Sequence, residues 1–466
     1  MNKLTKIIAT IGPSSENEEV IEKLIKEGID IFRFNFKHNT VDWHAQILKK
    51  VLLSSKKAKK DVATLIDLQG PEVRLKILKN LEKIELFEGK KLIVGEDIEF
   101  SHKEVLEKIK TNQKILVDDG AVSFRVLWKG NTLILESEKN GFLKDRKTAN
   151  FPGVNFDFPS LTVRDLDGVR LACREKMDFI ALSFVRSKKD IQDLKKEIKK
   201  YEFYPKIIAK IETEKAIKNI DEILDEADGV MVARGDMGVE MPIEQVPYYQ
   251  KMIIKKAREK NKFVITATQM LKSMVASIIP TRAEVSDVAN ACYDETDAVM
   301  LSEETAGGKY PVETVRKMRE IILFNENKFP KKIEIDFERF MEKEEIIAKN
   351  LVDIINLPTK ESRKIETIIV FTETGKTARI ISSFRPHLPI IAVVPDKDIA
   401  LSLMIYYGVY PVVYTEDKGK EITLFSIEKV IKKIKNFGFS FKNALVIHGN
   451  FWRVKGKISV MRFYNV

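Results

Sequence analysis

Short apolar runs recur along most of the chain, and stretches of helical periodicity separate most of them. Runs of this length and composition are typical of parallel strands buried on both faces, so the alternation predicts βα units. Eight such units close into a (β/α)₈ barrel, which places the carboxyl ends of all its strands at one mouth. The predicted strands are Lys6–Ile11, Ile31–Phe34, Ala63–Leu68, Phe179–Phe184, Ile207–Ile211, Gly229–Ala233, Phe263–Thr268 and Ala298–Leu301.

The interval from Leu68 to Phe179 is too long for a single crossover helix. Short β-type runs separated by turn dipeptides lie within it, so we expect a small all-β domain inserted after the third strand. Such an insert would lie over the barrel mouth and act as a lid. Its predicted strands are Lys114–Val117, Val122–Trp128 and Thr132–Ser137.

After about Phe329 the α/β pattern restarts, which predicts a separate C-terminal domain. The expected organisation is a discontinuous catalytic barrel of residues 1–70 and 159–330, a lid of residues 71–158 and a C-terminal α/β regulatory domain of residues 331–466. Strands of the last domain are predicted at Thr367–Phe371, Pro389–Val394, Tyr410–Tyr414 and Ala444–Ile447.

Two predicted strands end abruptly in charge, in the segments Ile207–Thr213 and Gly229–Glu240. Glu212 and Asp236 would supply two carboxylates at the barrel mouth, which suits a hard cation such as Mg²⁺. Lys210 would point the same way as Glu212 by strand periodicity, and an ammonium there could spread charge from a transferring phosphoryl group. The alternative for each segment is a set of surface ion pairs at loop ends.

The composition bears on partners and location. The formal net charge of the 466 residues is +11, but the lysines are mixed with acidic residues and no nucleic-acid motif accompanies them. We therefore expect an anionic substrate and no nucleic-acid partner. No apolar run approaches the ~20 residues of a membrane helix. Cys173 and Cys292 lie far apart in predicted helices, which favours buried small side chains. These features are typical of a cytoplasmic globular protein that does not bind membranes.

Motifs at the predicted strand ends and in the lid resemble those of the pyruvate kinase family. The two charged segments are similar to that family's IxxKIE and MVARGDLGVE, residues 33–38 (RFNFKH) to RMNFSH, and residues 67–74 (DLQGPEVR) to DTKGPEIR. Further matches lie at Val117–Gly120, Lys147–Gly153, Ser183–Arg186, Ala267–Leu271 and Leu301–Pro311. The resemblance implies phosphoryl transfer from phosphoenolpyruvate to ADP with Mg²⁺ or Mn²⁺, which gives ATP and pyruvate in glycolysis. It also implies a homotetramer.

The resemblance further assigns site residues. The substrate-side candidates are Lys210, Arg33, Gly235, Asp236, Thr268 and Ser302, and the nucleotide-side candidates are Arg74, His38 and Lys147. The planar fork of Arg33 suits phosphate oxygens, although it could instead hold a carboxylate across the barrel mouth. In the family pattern Thr268 lies near the enolate carbon and Ser302 relays a proton, but their hydroxyls could also merely satisfy backbone groups.

One part of the family pattern is altered, namely the site that holds K⁺ in typical members. Asn35 and Asp67 are kept, and Leu68 in the threonine position still offers a backbone carbonyl. The serine position is Lys37, whose ammonium cannot be an oxygen ligand and would repel a cation. We hypothesise that Lys37 replaces K⁺, with Glu72 as its neutralising partner, so that K⁺ is not required. The alternative is that Lys37 points into solvent and a weakened K⁺ site remains.

A loop in the C-terminal domain could bind an anion. It combines hydroxyls, a glycine and a lysine at Thr372, Thr374, Gly375, Lys376 and Thr377. Free amides at such a helix start bind phosphate, with plain helix capping as the alternative. In many pyruvate kinases the matching loop binds a phosphorylated effector, helped by a late loop that here includes Trp452 and Arg453. That late loop lacks the family's usual richness in glycine and threonine, so the identity of the effector, and whether one binds at all, stays open.

Three rival functions can be weighed on sequence. A catalytically silent sensor of sugar phosphates would need a broken site, whereas Lys210, Glu212 and Asp236 are all intact. Another barrel enzyme that acts on phosphoenolpyruvate or a keto acid, such as an aldolase, is disfavoured by the lid and the nucleotide-side residues. Binding of RNA through the net charge of +11 would collapse with added salt.

Overall fold

The computed structural model describes residues 3–78, 81–154, 156–328, 342–357, 359–453 and 460–465. In chain order their strands are β1 (Lys6–Thr10), β2 (Ile31–Asn35), β3 (Ala63–Asp67), β4 (Arg74–Ile77), β5 (Lys83–Leu86), β6 (Lys91–Ile93), β7 (Ile98–Phe100), β8 (Lys114–Val117), β9 (Val122–Lys129), β10 (Thr132–Ser137), β11 (Gly141–Lys144), β12 (Lys147–Asn150), β13 (Phe179–Leu182), β14 (Lys206–Ile211), β15 (Gly229–Ala233), β16 (Phe263–Ala267), β17 (Ala298–Leu301), β18 (Thr367–Phe371), β19 (Ile390–Val394), β20 (Val409–Val413), β21 (Asn443–His448) and β22 (Val460–Asn465).

The helices in the same ranges are α1 (Glu18–Glu27), α2 (Val41–Ala58), α3 (Val163–Arg174), α4 (Lys188–Ile198), α5 (Glu214–Lys218), α6 (Ile220–Glu226), α7 (Arg234–Glu240), α8 (Val246–Glu259), α9 (Arg282–Tyr293), α10 (Glu303–Ala306), α11 (Pro311–Lys328), α12 (Lys343–Asn356), α13 (Lys376–Ser383), α14 (Lys397–Leu403) and α15 (Leu424–Asn436). None of the helices in the described ranges is long and apolar enough to span a bilayer.

Within the described residues, eight parallel strands close into a barrel in the order β1-β2-β3-β13-β14-β15-β16-β17, and β17 pairs with β1. These strands are buried because one face fills the barrel and the other packs under the surrounding helices. The predicted fold class is confirmed, and each predicted barrel strand lies within two residues of its observed bounds.

Strands β4 to β12 form the insert between β3 and α3. Seven of them make one sheet in the order β6-β10-β9-β8-β12-β4-β7, and β5 pairs with β11. A separate apolar cluster that includes Leu75, Phe124 and Leu135 forms the core of the insert. The prediction of β8, β9 and β10 is confirmed, whereas the other strands escape prediction because runs of three or four residues carry little periodicity.

The C-terminal sheet has the order β20-β19-β18-β21-β22, in which the first four strands are parallel and β22 is antiparallel. The parallel strands match the prediction, but β22 does not appear in it, because its mostly exposed side chains leave no burial pattern. Since β19 and β21 lie on opposite sides of β18, the loops that follow β18 and β21 border a crevice at the carboxyl edge of the sheet.

This sheet is joined to the barrel on the side opposite the mouth. Asp297 directly precedes β17, and its carboxylate accepts hydrogen bonds of 3.1 and 2.8 Å from the Arg385 guanidinium. Both side chains are buried, so each charge needs the other to offset the cost of its removal from water. The lid and the C-terminal sheet thus contact opposite ends of the barrel. The predicted domain boundaries stay predictions, and residues 329–341 beside the third boundary lie outside the described residues.

Candidate active site

Lys210 is the centre of the charged cluster at the barrel mouth. Its Nζ lies 2.9 Å from Glu212 Oε1 and 3.4 Å from Asp67 Oδ1, and it donates to Ser183 Oγ at 2.7 Å. Burial alone would lower the pKa of Lys210, but the carboxylates of Asp67, Glu212 and Asp236 outweigh it and raise that pKa above its ordinary value. The side chain therefore carries a fixed positive charge.

Two carboxylates at neighbouring strand ends lie beside this ammonium. Glu212 accepts the Phe184 backbone N–H at 2.6 Å. Burial raises the pKa of Glu212 to about 7; the Lys210 ammonium opposes this rise and the charge of Asp236 adds to it. The two carboxylates are thus close enough to repel each other. Asp236, in the first turn of α7, makes no hydrogen bond or ion pair within the described residues.

This donor set can be tested for its fit to a metal. No group of three or more His, Cys, Asp or Glu side chains in the described chain could hold a metal ion. Mg²⁺ needs fewer protein ligands, because it is commonly held by one or two carboxylates and completes its shell with water and substrate oxygens. An unpartnered Asp236 that repels a buried Glu212 fits such a site.

Arg33 contacts the same carboxylate as Lys210. Its Nε and Nη2 lie 2.8 and 2.7 Å from Asp67 Oδ2, and its Nη1 donates to Thr10 Oγ1 at 2.9 Å. The side chain thus makes the carboxylate contact that the sequence offers as the alternative to phosphate binding. Asp67 orients both cations, since Arg33 lies on one of its oxygens and Lys210 on the other.

The loop that follows β16 is held in an unusual conformation. Thr268 has a φ of 71°, which is strained for a β-branched residue. Its hydroxyl accepts the Gly235 N–H at 2.8 Å and donates to the Ala267 carbonyl at 2.6 Å. Arg234 fixes the loop from behind, since it donates to the Thr268 carbonyl at 2.7 Å and binds both oxygens of Asp287 at 2.6 and 2.8 Å. The structure thus brings Thr268 and Gly235 together.

Ser302, which directly follows β17, is oriented by its backbone. Its N–H donates to Glu304 Oε2 at 2.7 Å. Its hydroxyl is buried and has no hydrogen-bond partner among the described residues. A buried hydroxyl without a partner is costly, so it fits a site that a substrate or a water molecule completes.

The positions that correspond to the K⁺ ligands are all engaged within the protein. The Asn35 side-chain oxygen accepts the Lys37 N–H at 3.3 Å, Asp67 binds the two cations described above, and the Leu68 carbonyl accepts the Ser183 hydroxyl at 2.7 Å. The Lys37 ammonium lies 2.6 Å from Glu72 Oε1. Lys37 is therefore ion-paired rather than free in solvent.

The nucleotide-side candidates fall into two groups. Arg74 lies 3.0 Å from Glu72 Oε2, which places it next to Lys37. Partial desolvation and the Lys37 ammonium lower the pKa of His38, so the three side chains form one group. Lys147 lies apart on β12, where its ammonium is 2.8 Å from Asp118 Oδ1.

Two contacts at this mouth escape sequence reasoning. Arg164 of α3 donates to the carbonyls of Phe36, His38 and Asn39 at 2.7, 3.2 and 2.6 Å, and so clamps the loop that carries Lys37. Nothing in the sequence around it signals this role. The second contact is the hydrogen bond that Lys210 donates to Ser183. Ser183 lies one position beyond β13 in a segment that resembles the family, and this place at a strand end is the signal that could have predicted the contact.

The predicted effector loop lies at the carboxyl edge of the C-terminal sheet. Gly375 has a φ of 78° and is the N-cap residue directly before α13, while the Lys376 ammonium is 3.5 Å from Glu342. Trp452 is only 2% exposed and packs its ring against Phe371, with centroids 5.5 Å apart. The indole is thus part of the core, and its N–H has no partner among the described residues. Thr372 is buried, Thr374 accepts the Lys376 N–H at 3.4 Å, Thr377 lies in α13, and Arg453 has a φ of 60°.

Comparison with known proteins agrees with this geometry. The model of the family "Pyruvate kinase, barrel domain" matches residues 2–315, and that of "Pyruvate kinase, alpha/beta domain" matches residues 357–463. A pyruvate kinase of Clostridium acetobutylicum is 38% identical over 459 residues, which cover 95% of this chain and 95% of that protein. Pyruvate kinases of Staphylococcus aureus and Geobacillus stearothermophilus are 39% and 38% identical over 90% and 91% of this chain, and 72% and 74% of their own lengths. The chain therefore belongs to the pyruvate kinase family and is a phosphotransferase.

Proposed function

We propose that this chain transfers the phosphoryl group of phosphoenolpyruvate to ADP in glycolysis, in the cytoplasm, and that the reaction depends on Mg²⁺ or Mn²⁺. The observation that carries the proposal is the charged Lys210 ammonium between Asp67 and Glu212, with the unpartnered carboxylate of Asp236 beside them. A cation that faces two potential metal ligands is the arrangement that phosphoryl transfer needs, because negative charge spreads over the oxygens of the moving group.

Each site residue has a proposed part in this reaction. Glu212 and Asp236 would hold the divalent cation, which supplies charge neutralisation for the substrate oxygens when bound. Lys210 stabilises the phosphoryl group as its bond to the enol oxygen breaks and a bond to the terminal oxygen of ADP forms. Arg33, on the other oxygen of Asp67, adds a second positive charge from β2, the strand next to that of Asp67.

The product enolate must then gain a proton at carbon to become pyruvate. Thr268 and Ser302 follow adjacent strands of the barrel, and both present hydroxyls at the mouth. We propose that Thr268 delivers the proton through water, with the Ser302 hydroxyl as the next member of the relay. Backbone amides around Gly235 and Asp236 would help to hold the substrate carboxylate, and the hydrogen bond of 2.8 Å from the Gly235 N–H to the Thr268 hydroxyl fixes this turn.

Nucleotide binding is proposed for the lid side of the mouth. Arg74 and His38 lie beside Glu72 and Lys37. Lys147 would reach the nucleotide when the lid closes. We further propose that the reaction needs no K⁺, because the corresponding oxygens of Asn35, Asp67 and Leu68 already hold internal hydrogen bonds or ion pairs, and the Lys37 ammonium supplies a fixed positive charge nearby.

Two further proposals rest on family membership. One is a homotetramer. The other is a phosphorylated effector at the loop that carries Thr372, Thr374, Gly375, Lys376 and Thr377, supported by its place at the crevice between β18 and β21. Because Trp452 is buried, we expect Lys376 and Arg453 rather than the indole to contact such a ligand.

The decisive experiment measures ATP formation from phosphoenolpyruvate and ADP with Mg²⁺, first in buffer free of Na⁺ and K⁺ and then with K⁺ added. We expect robust turnover without K⁺ and little change when it is added. Turnover only with K⁺ would keep the enzyme but overturn the role of Lys37. Absence of turnover in both buffers would overturn the proposed reaction.

A further inference from the structure

A cavity of about 420 Å³ lies at the hinge between the lid and the barrel. Its lid wall comes from the two segments that connect the insert to the barrel. Its barrel wall follows β13 and β14 and ends at Glu240 of α7. None of its lining residues belongs to the proposed phosphoryl-transfer group of Lys210, Glu212, Asp236 and Thr268. Glu72, which pairs with Lys37 and Arg74, also lines the cavity. The cavity therefore adjoins the nucleotide side of the candidate active site without containing the phosphoryl-transfer group, and we call it the hinge cavity.

The lid wall of the hinge cavity is aromatic. Phe151 and Phe156 meet edge to face with centroids 5.2 Å apart, and Phe156 stacks on Phe158 at 5.1 Å. Val154 lines the same wall. A planar ring could pack against these side chains in the offset or edge-on arrangements that aromatic groups prefer.

The barrel wall carries three cations, of which two are already used. Arg186 donates to the carbonyls of Phe156 and Phe158 at 2.9 and 2.8 Å, and Lys218 lies 3.7 Å from Glu214. Lys215, half-buried, forms no hydrogen bond or ion pair with any described residue. Three carboxylates also line the cavity, but each already has a partner: Glu72 pairs with Lys37, Glu214 with Lys218, and Glu240 accepts a hydrogen bond from Asn150. An aromatic wall beside the Lys215 ammonium, which has no such partner, matches a small aromatic anion.

The hinge cavity also touches a direct link between the lid and α7. Asn150 of β12 donates to Glu240 Oε1 at 3.1 Å. Glu240 lies one turn after Asp236 on the same helix, and both Asn150 and Glu240 line the cavity. A ligand there would contact the lid and the helix that bears a proposed metal ligand at the same time.

We propose that the hinge cavity is a regulatory site for a small aromatic anion, with its ring against Phe151, Phe156 and Phe158 and its anionic group on Lys215. Because the ligand touches both walls, it binds best at one lid position and shifts the lid population towards it. Binding itself does not depend on the proposed reaction, whereas its effect on turnover rests on that proposed function.

The binding test titrates the full chain with anilinonaphthalene sulfonate, a fluorescent aromatic anion, in the presence and absence of saturating phosphoenolpyruvate, ADP and Mg²⁺. We expect saturable binding that the substrates do not displace competitively. Lys215→Gln should weaken binding about tenfold, as the loss of a charge-assisted contact predicts. Val154→Trp, which fills the cavity, should abolish it. Lys189→Gln, an exposed lysine on α4 away from the cavity, is the matched control and should bind as the parent does.

Competitive displacement by the substrates would place the probe in the active site and overturn the proposal, as would unchanged binding in both Lys215→Gln and Val154→Trp. Circular dichroism melts check that each variant folds. If Val154→Trp fails to fold, Lys215→Gln alone still tests the site. In the kinetic arm, the probe should change the KM for ADP in the parent and not in Lys215→Gln. Binding without any such change in an active enzyme would overturn the regulatory role.

Discussion

The ammonium of Lys37 and the carboxylate of Glu72 form an ion pair of 2.6 Å that joins the loop after β2 to the start of the lid. The side chain of Glu72 is only 6% exposed, so its charge needs a permanent partner. Arg74 lies on the second carboxyl oxygen at 3.0 Å. The pair therefore places a covalently attached cation beside the oxygens that correspond to K⁺ ligands.

Lys37→Ser should create a requirement for K⁺. The substitution removes the ammonium, leaves the Glu72 charge without its closest partner and supplies a hydroxyl in the position of a cation ligand. In K⁺-free buffer we expect turnover to fall by about tenfold or more, which corresponds to the loss of one charge-assisted contact, and to recover when K⁺ is added. Lys56→Ser, an exposed lysine on α2, is the control. If turnover of Lys37→Ser does not depend on K⁺, the proposal that the Lys37 ammonium replaces K⁺ is wrong.

Asp236→Asn should lower activity strongly without loss of stability. Asp236 makes no hydrogen bond or ion pair within the described chain, and Asp67 and Glu212 still neutralise the Lys210 ammonium when the Asp236 charge is removed. Turnover should fall by about 10²-fold or more, and the Mg²⁺ concentration for half-maximal rate should rise, because one of two metal ligands loses its charge. Thermal melts should superimpose on those of the parent. Asp42→Asn, an exposed residue of α2, tests whether any lost carboxylate has this effect, and an unchanged Mg²⁺ dependence in Asp236→Asn would remove Asp236 from the metal site.

Much of the barrel can be predicted from the sequence because its strands are short, continuous apolar runs, such as Phe263–Ala267, whose every residue is buried. The strand ends then fix which side chains meet at the mouth, so the grouping of Lys210 with Glu212 follows from position alone. The small strands of the lid and the exposed β22 lack such a signal, since local pattern does not distinguish them from loops.

The partners of the site residues are harder to predict than their positions. Arg33 could bind phosphate or a carboxylate, and only the arrangement of β1, β2 and β3 shows that Thr10 and Asp67 surround its guanidinium. The burial of Trp452 depends on ring contacts with Phe371 of β18 and with Tyr414, which directly follows β20, and both are distant from it in sequence. Such contacts arise from the tertiary fold, which residue type and spacing do not specify.

Arg164→Ala should weaken nucleotide binding more than catalysis. Its guanidinium donates to the carbonyls of Phe36, His38 and Asn39 in the loop after β2 and lies 5.0 Å from the centre of the Phe36 ring. Without it, the loop that carries Lys37 and His38 gains freedom, and we expect the KM for ADP to rise about tenfold while kcat and the KM for phosphoenolpyruvate change less.

The conservative variant Arg164→Lys should recover part of the loss, since one ammonium can reach some of the carbonyls. Arg170→Ala, on the same helix with an exposed contact to Asp167, is the control. Equal losses in kcat and in both KM values, together with a lower melting temperature, would show that Arg164 acts only on stability.

Asp178→Asn should change the pH dependence of stability and leave activity intact. Asp178 lies at the bottom of the barrel, where its carboxyl accepts the backbone N–H and the hydroxyl of Thr64, both at 2.8 Å. Burial raises the pKa of Asp178 from 3.8 to about 7, so the folded chain keeps a proton that the unfolded chain has lost in that interval. The stability that this proton contributes is complete below pH 3.8 and is lost as the pH rises through 7.

An amide stays neutral and can still accept both bonds. Chemical unfolding between these pH values should therefore show a shallower decline in the free energy of unfolding for the variant, by up to about 1.4 kcal/mol per pH unit, and higher stability than the parent above pH 7. Asp42→Asn should keep the slope of the parent, and a variant less stable than the parent above pH 7 would mean that Asp178 is buried as a stabilising anion.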